Sequence, residues 1–598
     1  TKNLKYRTNL SLSYAATKFK KMTPSILYDE NQSNNRGESL NYMNWNWMNE
    51  HYLTYNNKFN KVHNVSAMLG VSAQKWSRED EILVGTNSPT DIIYMMNAFA
   101  ADLDLTKTGT WKYGHSLASI FARMTYDYKG KYLMTANFRR DGSSRFPSKN
   151  RWGNFPSISA GWRFSDEKFM TSTKSYLDDA KLRVSYGVTG NEQIGNYDYL
   201  MTYSLSTIYD GVGGVGPSRL NVNDLSWEET SQVNTGLDLS FFKSRLVITA
   251  DYYDKYTKDL LARYQVPKEW GYDFVMKNIG EVRNRGFEFA ISGDIIRSKD
   301  FTWNMAFNIS KNTTKIEKLA GGVPYIQSGL WRMEEGGKIG DFYGYKALNV
   351  FQYSESNAFT DDWKQLTPVF ENGTFQNQYL LNGEVYTGTV NQKKMPDGRP
   401  FRGGDINWEE AGEPDGVINS DDRKVLGNAQ PDFTGGLNTN FTYKNWGLFV
   451  SFYYSIGGDL YNFARQDRNS FRFTGTTPEP EVIYNLWTKE GDAALYPRPF
   501  NDEFDNARLG QGHSFYVEDG SFLKLRNVRL SYDVPQQLLN VLKMKRLGLY
   551  AYINNALTWT KYKGYDPEFS NNSALEMGRD NNRYPRKREF GVGFTMNF

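Results

Sequence analysis

Polar and apolar residues alternate with a period of two, in segments of about ten residues, along nearly the whole chain. Phe301, Trp303, Met305, Phe307 and Ile309 fall on one side of such a segment, and Thr302, Asn304, Ala306, Asn308 and Ser310 on the other. The same rule separates Tyr132, Met134, Ala136 and Phe138 from Leu133, Thr135, Asn137 and Arg139. It separates Leu246, Ile248, Ala250 and Tyr252 from Val247, Thr249, Asp251 and Tyr253. At the end of the chain, Phe590, Val592, Phe594, Met596 and Phe598 alternate with Gly591, Gly593, Thr595 and Asn597. A period of two is that of a strand with two different faces, and long helical periodicity is hard to find.

Applied throughout, the rule predicts about sixteen strands: 3–16, 45–58, 61–76, 116–128, 131–139, 155–164, 181–190, 230–242, 244–260, 283–297, 301–316, 434–444, 447–457, 522–534, 546–562 and 585–598. The connections alternate between short and long. Lys129-Gly130, Ser298-Lys299-Asp300 and Asn445-Trp446 read as tight turns, with longer variants at 165–180 and 535–545. The long connections run from roughly fifteen residues upward, the largest being 317–433 and 458–521. Loops sorted by length onto opposite ends are the pattern of an outer-membrane barrel, with short periplasmic turns and long extracellular loops. The apolar row of each strand would face lipid and the polar row a wet lumen, with Tyr, Phe and Trp at the strand ends forming interfacial girdles. A secreted adhesin or a string of sandwich domains would bury one face of each strand more fully and show several domain boundaries. No linker divides residues 1–598, which read as one all-β domain, a transmembrane antiparallel β-barrel.

Composition agrees. Mean hydropathy is -0.65, and no stretch approaches the roughly 18 apolar residues that a spanning helix requires. The net charge of +4 on 598 residues gives no case for nucleic acid. Cysteine is absent, which removes disulfides, thiolate metal sites and cysteine nucleophiles. The four histidines are His51, His63, His115 and His513; the last lies near Ser514, Glu518 and Asp519, but adjacency in sequence does not make a catalytic triad, and no enzyme activity or cofactor is expected. The chain starts at Thr1 with no leader pattern, so processing or an upstream segment is expected.

Several stretches are similar to the C-terminal part of SusC/RagA-type TonB-dependent outer-membrane transporters. They are residues 139–164 (Arg-Arg-Asp-Gly-Ser-Ser-Arg-Phe through Gly-Trp-Arg-Phe), 181–197, 225–261, 278–289 and 517–532 around Asp519-Gly-Ser-Phe-Leu-Lys-Leu-Arg-Asn-Val, and the end from Tyr584-Pro585 to Phe598. The resemblance implies a barrel of 22 strands filled by an N-terminal plug, a TonB box on the periplasmic side, and a SusD-like surface lipoprotein acting as a lid. Plug, TonB box and roughly six strands are not found in this sequence and are expected upstream of Thr1. The implied function is TonB-dependent import of a bulky polar nutrient, an oligosaccharide or oligopeptide, across the outer membrane of a Gram-negative bacterium. A passive sixteen-stranded porin and a surface adhesin or scaffold are the alternatives.

Candidate contacts follow from composition. Loop 458–521 carries Tyr461, Phe463, Phe471, Phe473, Tyr484, Trp487, Tyr496 and Phe500 among Arg465, Asp467, Arg468, Arg472 and Asp502. Aromatic faces interleaved with polar groups suit contact with a polar ligand or a lid, and equally suit a loop packed on itself. Asn304, Asn308, Asn438, Asn440, Arg139 and Arg529 lie on lumenal rows. Residues 405–422 (Gly404-Asp405 through Asp421-Asp422) place acidic side chains around a turning glycine as calcium loops do, though in imperfect register; a solvated acidic turn is the other reading. Phe598, an aromatic last residue on an alternating strand, resembles the assembly signal of outer-membrane barrels.

Overall fold

The computed structural model describes residues 3–26, 35–93, 95–99, 102–209, 212–267, 269, 271–272, 274–319, 323–469, 477–499, 512–569 and 573–598. Sixteen strands form one sheet in which sequence neighbours are spatial neighbours. They are β1 (Leu4–Thr23), β2 (Arg36–Phe59), β3 (His63–Thr86), β4 (Gly109–Tyr128), β5 (Tyr132–Ser143), β6 (Trp152–Arg163), β7 (Leu177–Asn191), β8 (Glu228–Phe241), β9 (Leu246–Lys258), β10 (Glu281–Arg297), β11 (Phe301–Lys318), β12 (Phe433–Tyr443), β13 (Trp446–Ile456), β14 (Phe522–Asp533), β15 (Arg546–Thr560) and β16 (Glu589–Asn597). Each expected strand has its counterpart. The residues group into two compact units, Thr1–Leu239 with Asp251–Arg283, and Ser240–Ala250 with Asn284–Phe598.

Register confirms the two faces. In the antiparallel ladder, directly opposed residues share a side, so the pairs Trp303↔Phe441 and Phe441↔Leu448 run one apolar row across β11, β12 and β13. Asn304↔Asn440, Ala306↔Asn438 and Asn308↔Gly436 form the polar row behind it. The apolar row is open to its surroundings: Leu10 on β1 is 78% exposed and Val592 on β16 is 86% exposed. Gly591 and Gly593 on the opposite side lie under the rings of Tyr552 and Tyr550, where a Cβ would sit within 2.6 Å of ring atoms.

The boundaries differ from expectation in three places. β1 to β4 run seven to ten residues further toward the long loops than alternation indicated. The turn between β12 and β13 is Lys444-Asn445, and Trp446 already pairs with Tyr443. The connection between β5 and β6 is residues 144–151, shorter than the fifteen expected, because both strands continue past the point where their outer residues turn polar. Left-handed backbone tightens the short turns, at Asn60 and Lys61, Lys129 and Gly130, Phe242 to Ser244, and Lys444.

Buried apolar side chains gather at the other end. In the first unit Phe146, Phe155 and Trp227 pack together, with ring centroids 5.1 and 5.3 Å from Trp227, alongside Ile194, Leu225, Val275 and Met276. In the second unit one core holds Phe351, Phe359, Phe401, Trp408 and Ile418, and another holds Leu330, Trp331, Phe342, Tyr461 and Tyr516. Short strands frame them: Tyr325–Ser328, Trp331–Glu334, Asp341–Gly344 and Lys424–Asn428 make a four-stranded sheet, and Asp459–Asn462 pairs with both Val517–Asp519 and Arg579–Asp580.

Candidate ligand face

Tyr453 on β13 opposes Gly436 and Lys524, and Gly436 opposes Asn308, so Tyr453 and Lys524 belong to the polar, lumenal side of the wall. They stand at its long-loop end. A cleft of about 260 Å³ opens there, lined by Thr434, Tyr453, Ser455, Phe522, Glu568 and Arg586 among others. A bulge between Leu525 and Asn527 breaks the β14 ladder beside it and turns Arg526 toward the same group. The Arg526 guanidinium lies 4.3 Å from the Tyr453 ring centroid and pairs with Glu568.

Charge is arranged around a buried ammonium. Lys524 is 1% exposed, and its Nζ sits 3.0 Å from Asp566 and 2.8 Å from Glu568. Arg586 reaches Glu568 at 3.3 Å while its side chain remains 56% exposed. Three cations thus share two carboxylates, and the exposed guanidinium edges together with the Tyr453 face offer hydrogen-bond donors and a stacking surface to a polar ligand. Sequence alone pointed at the aromatic run of 458–521 and passed over this cluster. Unbroken alternation back from Arg529 on the inner row would put Lys524 on the outer one; the bulge at Arg526 returns it to the lumenal side, and nothing local announced that Asp566 and Glu568 would meet it.

The aromatic candidates take several positions. Tyr461 is fully buried: its hydroxyl donates to Gln466 (2.9 Å) and accepts the His513 N–H (3.2 Å), and burial pushes its pKa upward. In this packing its ring is a core residue. Phe463 is half-buried, stacked on Trp331 with centroids 5.9 Å apart and capped by Arg579 at 4.7 Å. The Trp487 indole donates to the Gln352 carbonyl at 3.1 Å. Phe471, Phe473, Phe500 and Asp502 lie outside the described residues. Tyr484 is exposed, and Tyr496 stacks on Phe515. Arg465 is buried and clamps the loop, with Nε 2.7 Å from Glu479 and Nη1 3.3 Å from Glu518. His513 is buried against Trp408, Phe515 and Tyr516, and Ser514 Oγ accepts the Ala347 N–H at 3.0 Å.

The acidic segment 405–422 is buried at its two ends, Asp405 and Asp422, and solvated between them, where Glu413, Asp415 and Asp421 are exposed. Asp405 is buried and receives Arg498 at 2.9 Å and the Arg402 N–H at 2.9 Å. Asp422, also buried, accepts the N–H groups of Ala411, Gly412 and Asn419. Glu410 accepts from Gly416 and Asp415 from Val417. The carboxylates face backbone donors separately, and among the described residues no three acidic or histidine side chains are arranged to hold a metal ion.

A two-faced antiparallel wall with short turns at one end and folded loops at the other defines a β-barrel of the outer membrane; among the described residues no helix is long and apolar enough to cross a membrane. The family model described as "TonB dependent receptor-like, beta-barrel" matches residues 1–556, and the chain belongs to that family. It is 39% identical over 601 residues to TonB-dependent receptor P39 of Formosa agariphila, covering 100% of this chain and 57% of that protein. It is 28% identical to TonB-dependent receptor SusC of Bacteroides thetaiotaomicron, covering 83% of this chain and 45% of that one. The RagAB peptide transporter structure superposes with a TM-score of 0.80 at 22% identity, over 100% of this chain and 60% of the other. The chain therefore spans about half the length of the curated relatives it matches.

Proposed function

We propose that the whole protein imports a bulky polar nutrient, an oligosaccharide or an oligopeptide, across the outer membrane with energy delivered through TonB. The observation that carries this reading is the mixed-polarity cleft on the lumenal wall, bordered by Tyr453, Glu568 and Arg586 under an ordered layer of long loops. Such a face can hold a polar ligand through guanidinium hydrogen bonds and ring stacking. Further strands, a plug and a TonB-contacting segment are part of this proposal and would lie in the length of the full protein beyond this chain, which spans 57% of TonB-dependent receptor P39. A SusD-like lipoprotein is the proposed lid over the loop layer. Phe598, 76% exposed beyond β16, is proposed as part of the assembly signal; deletion of Phe590 to Phe598 is expected to lower outer-membrane abundance.

The test is uptake by cells carrying the full-length gene, with and without TonB, together with identification of whatever lipoprotein and ligand co-purify at native expression. TonB-dependent uptake with a bound oligosaccharide or peptide supports the reading. Uptake that persists without TonB favours a passive pore, and retention of activity after Arg526→Ala and Arg586→Ala removes the cleft from the pathway.

A further inference from the structure

The short turns are basic in a way the chain as a whole is not. The seven connections at 60–62, 129–131, 164–176, 242–245, 298–300, 444–445 and 534–545 hold eleven lysines and arginines against three carboxylates, whereas the entire chain has 71 against 67. Each unit shows the excess by itself: Lys61, Lys129, Lys131, Lys168 and Lys174 against Asp166 and Glu167 in the first, and Lys243, Arg245, Lys299, Lys444, Lys543 and Lys545 against Asp300 in the second.

These cations stand next to an aromatic girdle. Lys129 Nζ lies 5.1 Å from the Tyr128 ring, and Lys444 Nζ 5.4 Å from the Tyr443 ring. Tyr132, Trp162, Phe242, Tyr443 and Trp446 are exposed on the same end of the wall. Rings of this kind mark the depth at which hydrocarbon gives way to headgroups, which sets the adjacent ammonium groups among the headgroups. The two longer turns, one in each unit, repeat a second device. In 164–176 the exposed Phe169 lies 6.3 Å from Trp162, between Lys168 and Lys174. In 534–545 the short helix Gln536–Leu542 exposes Leu538 and Val541, three apart on one face, with Lys543 and Lys545 following. Exposed apolar side chains bracketed by lysines are the composition of a segment lying in a membrane interface.

We infer that this end of the barrel binds anionic phospholipid of the inner leaflet, with Phe169, Leu538 and Val541 entering the acyl boundary and the flanking lysines pairing with phosphate. Charge complementarity decides the occupant. A zwitterionic headgroup offers no net attraction to these lysines, whereas an anionic headgroup gains from each one near it.

The full-length protein is reconstituted in nanodiscs of mixed phosphatidylethanolamine and phosphatidylglycerol, re-extracted in detergent, and the retained lipid is weighed by native mass spectrometry. The expected result is enrichment of phosphatidylglycerol over its bulk fraction, falling about fivefold for each contacting lysine reversed in the series Lys168→Glu, Lys174→Glu, Lys543→Glu and Lys545→Glu. Reversals at Lys364 and Lys587, near the long loops, leave the ratio unchanged. Phe169→Ser with Leu538→Ser and Val541→Ser lowers total retained lipid. Should the reversals fail to give heat-modifiable barrels, the Lys→Gln set reads the same ratio. Retained lipid matching the bulk, or enrichment that survives every substitution, overturns the inference. So does loss of sedimentation with purified peptidoglycan in the variants at unchanged lipid ratio, which would assign the basic rim to the wall polymer.

Discussion

Between β12 and β13 the chain reverses through Lys444 and Asn445 alone, whereas between β11 and β12 it travels through residues 319–432, building one core and several small sheets and sharing a second core with Tyr461 and Tyr516. The two ends of one wall thus obey different rules. At the short-turn end the lipid-facing rows hold the strands and a turn has only to reverse direction. At the long-loop end there is water on both sides of the wall, so a loop of a hundred residues must bury its own apolar surface to stay ordered. Backbone geometry governs the first, and packing governs the second.

The largest expected effect tests that division inside the core around Phe342, a fully buried ring 6.1 Å from Tyr461 and 6.0 Å from Trp331. Phe342→Ala should cost about 3–5 kcal/mol of loop-layer stability. Limited proteolysis should then cut within 319–432 and 457–521, while heat-modifiable migration of the barrel persists. If barrel and loops are lost together, the two ends are one cooperative unit and the comparison fails.

Next comes Lys524→Ala, which takes from Asp566 its cation while Glu568 keeps Arg526 and Arg586, and should destabilise the segment 561–588 by about 3 kcal/mol. Lys524→Ala combined with Asp566→Asn should recover part of that loss in a denaturant titration followed by loop proteolysis. No recovery would mean that Lys524 acts through packing and not through charge.

A pH effect follows from Lys393, buried with its ammonium 3.0 Å from Asn407 Oδ1, bonded to the Trp408 carbonyl and set 4.5 Å from the Phe359 ring. Burial holds its pKa down at about 8, against the opposing pull of Glu410, Asp422 and Glu409. The folded form releases its proton before the unfolded chain does, so the unfolded state binds more protons between about 8 and the ordinary lysine value. Stability of this core should therefore rise with pH across that window, by up to about 3 kcal/mol. Lys393→Met should flatten the profile and leave stability at pH 7 equal or higher. A profile that falls over the window would contradict the assignment.

The strand inventory was legible because the wall is a repeating physical problem. Lipid outside and water inside impose period two on all sixteen strands, and short turns advertise themselves through residues such as Lys129-Gly130. Legibility stopped where lipid stopped. The outer ends of β1 and β3, with Lys18, Lys20 and Lys21 or Arg78, Glu79, Asp80 and Glu81, are wetted on both faces, so alternation no longer marks them as strand. Within 139–164 alternation marks only 155–164 as strand and says nothing of packing; Phe146 and Phe155 are core rings of the first unit, with Gly153 leaving the space that Phe155 fills. The aromatic run of loop 458–521 could not be sorted in advance, because Tyr461 and Tyr484 differ only in whether other chain segments, such as 330–342, come to cover them. The cleft around Lys524 escaped for the same reason, since its carboxylates arrive from more than forty residues away.

The smallest effect is the cleanest contrast between the two ends, and it uses two glycines with the same backbone sign. Gly130 in the β4–β5 turn has φ +71, and a Cβ there would meet nothing within 4 Å. Gly404 in the long loop has φ +84, and a Cβ there would lie 2.5 Å from the Trp487 ring and 2.9 Å from Arg498 Cδ. Gly130→Ala should therefore cost only the left-handed backbone penalty, about 1 kcal/mol. Gly404→Ala should cost that and a further 1–3 kcal/mol of overpacking. Gly404→Ala paired with Trp487→Ala relieves the clash and leaves the backbone penalty, so the double variant should cost less than its two single changes summed. Thermal unfolding of the four variants, read by loop proteolysis for Gly404 and by barrel migration for Gly130, measures the two penalties separately. Equal costs at the two glycines would show that packing density does not distinguish the loop layer from the turns.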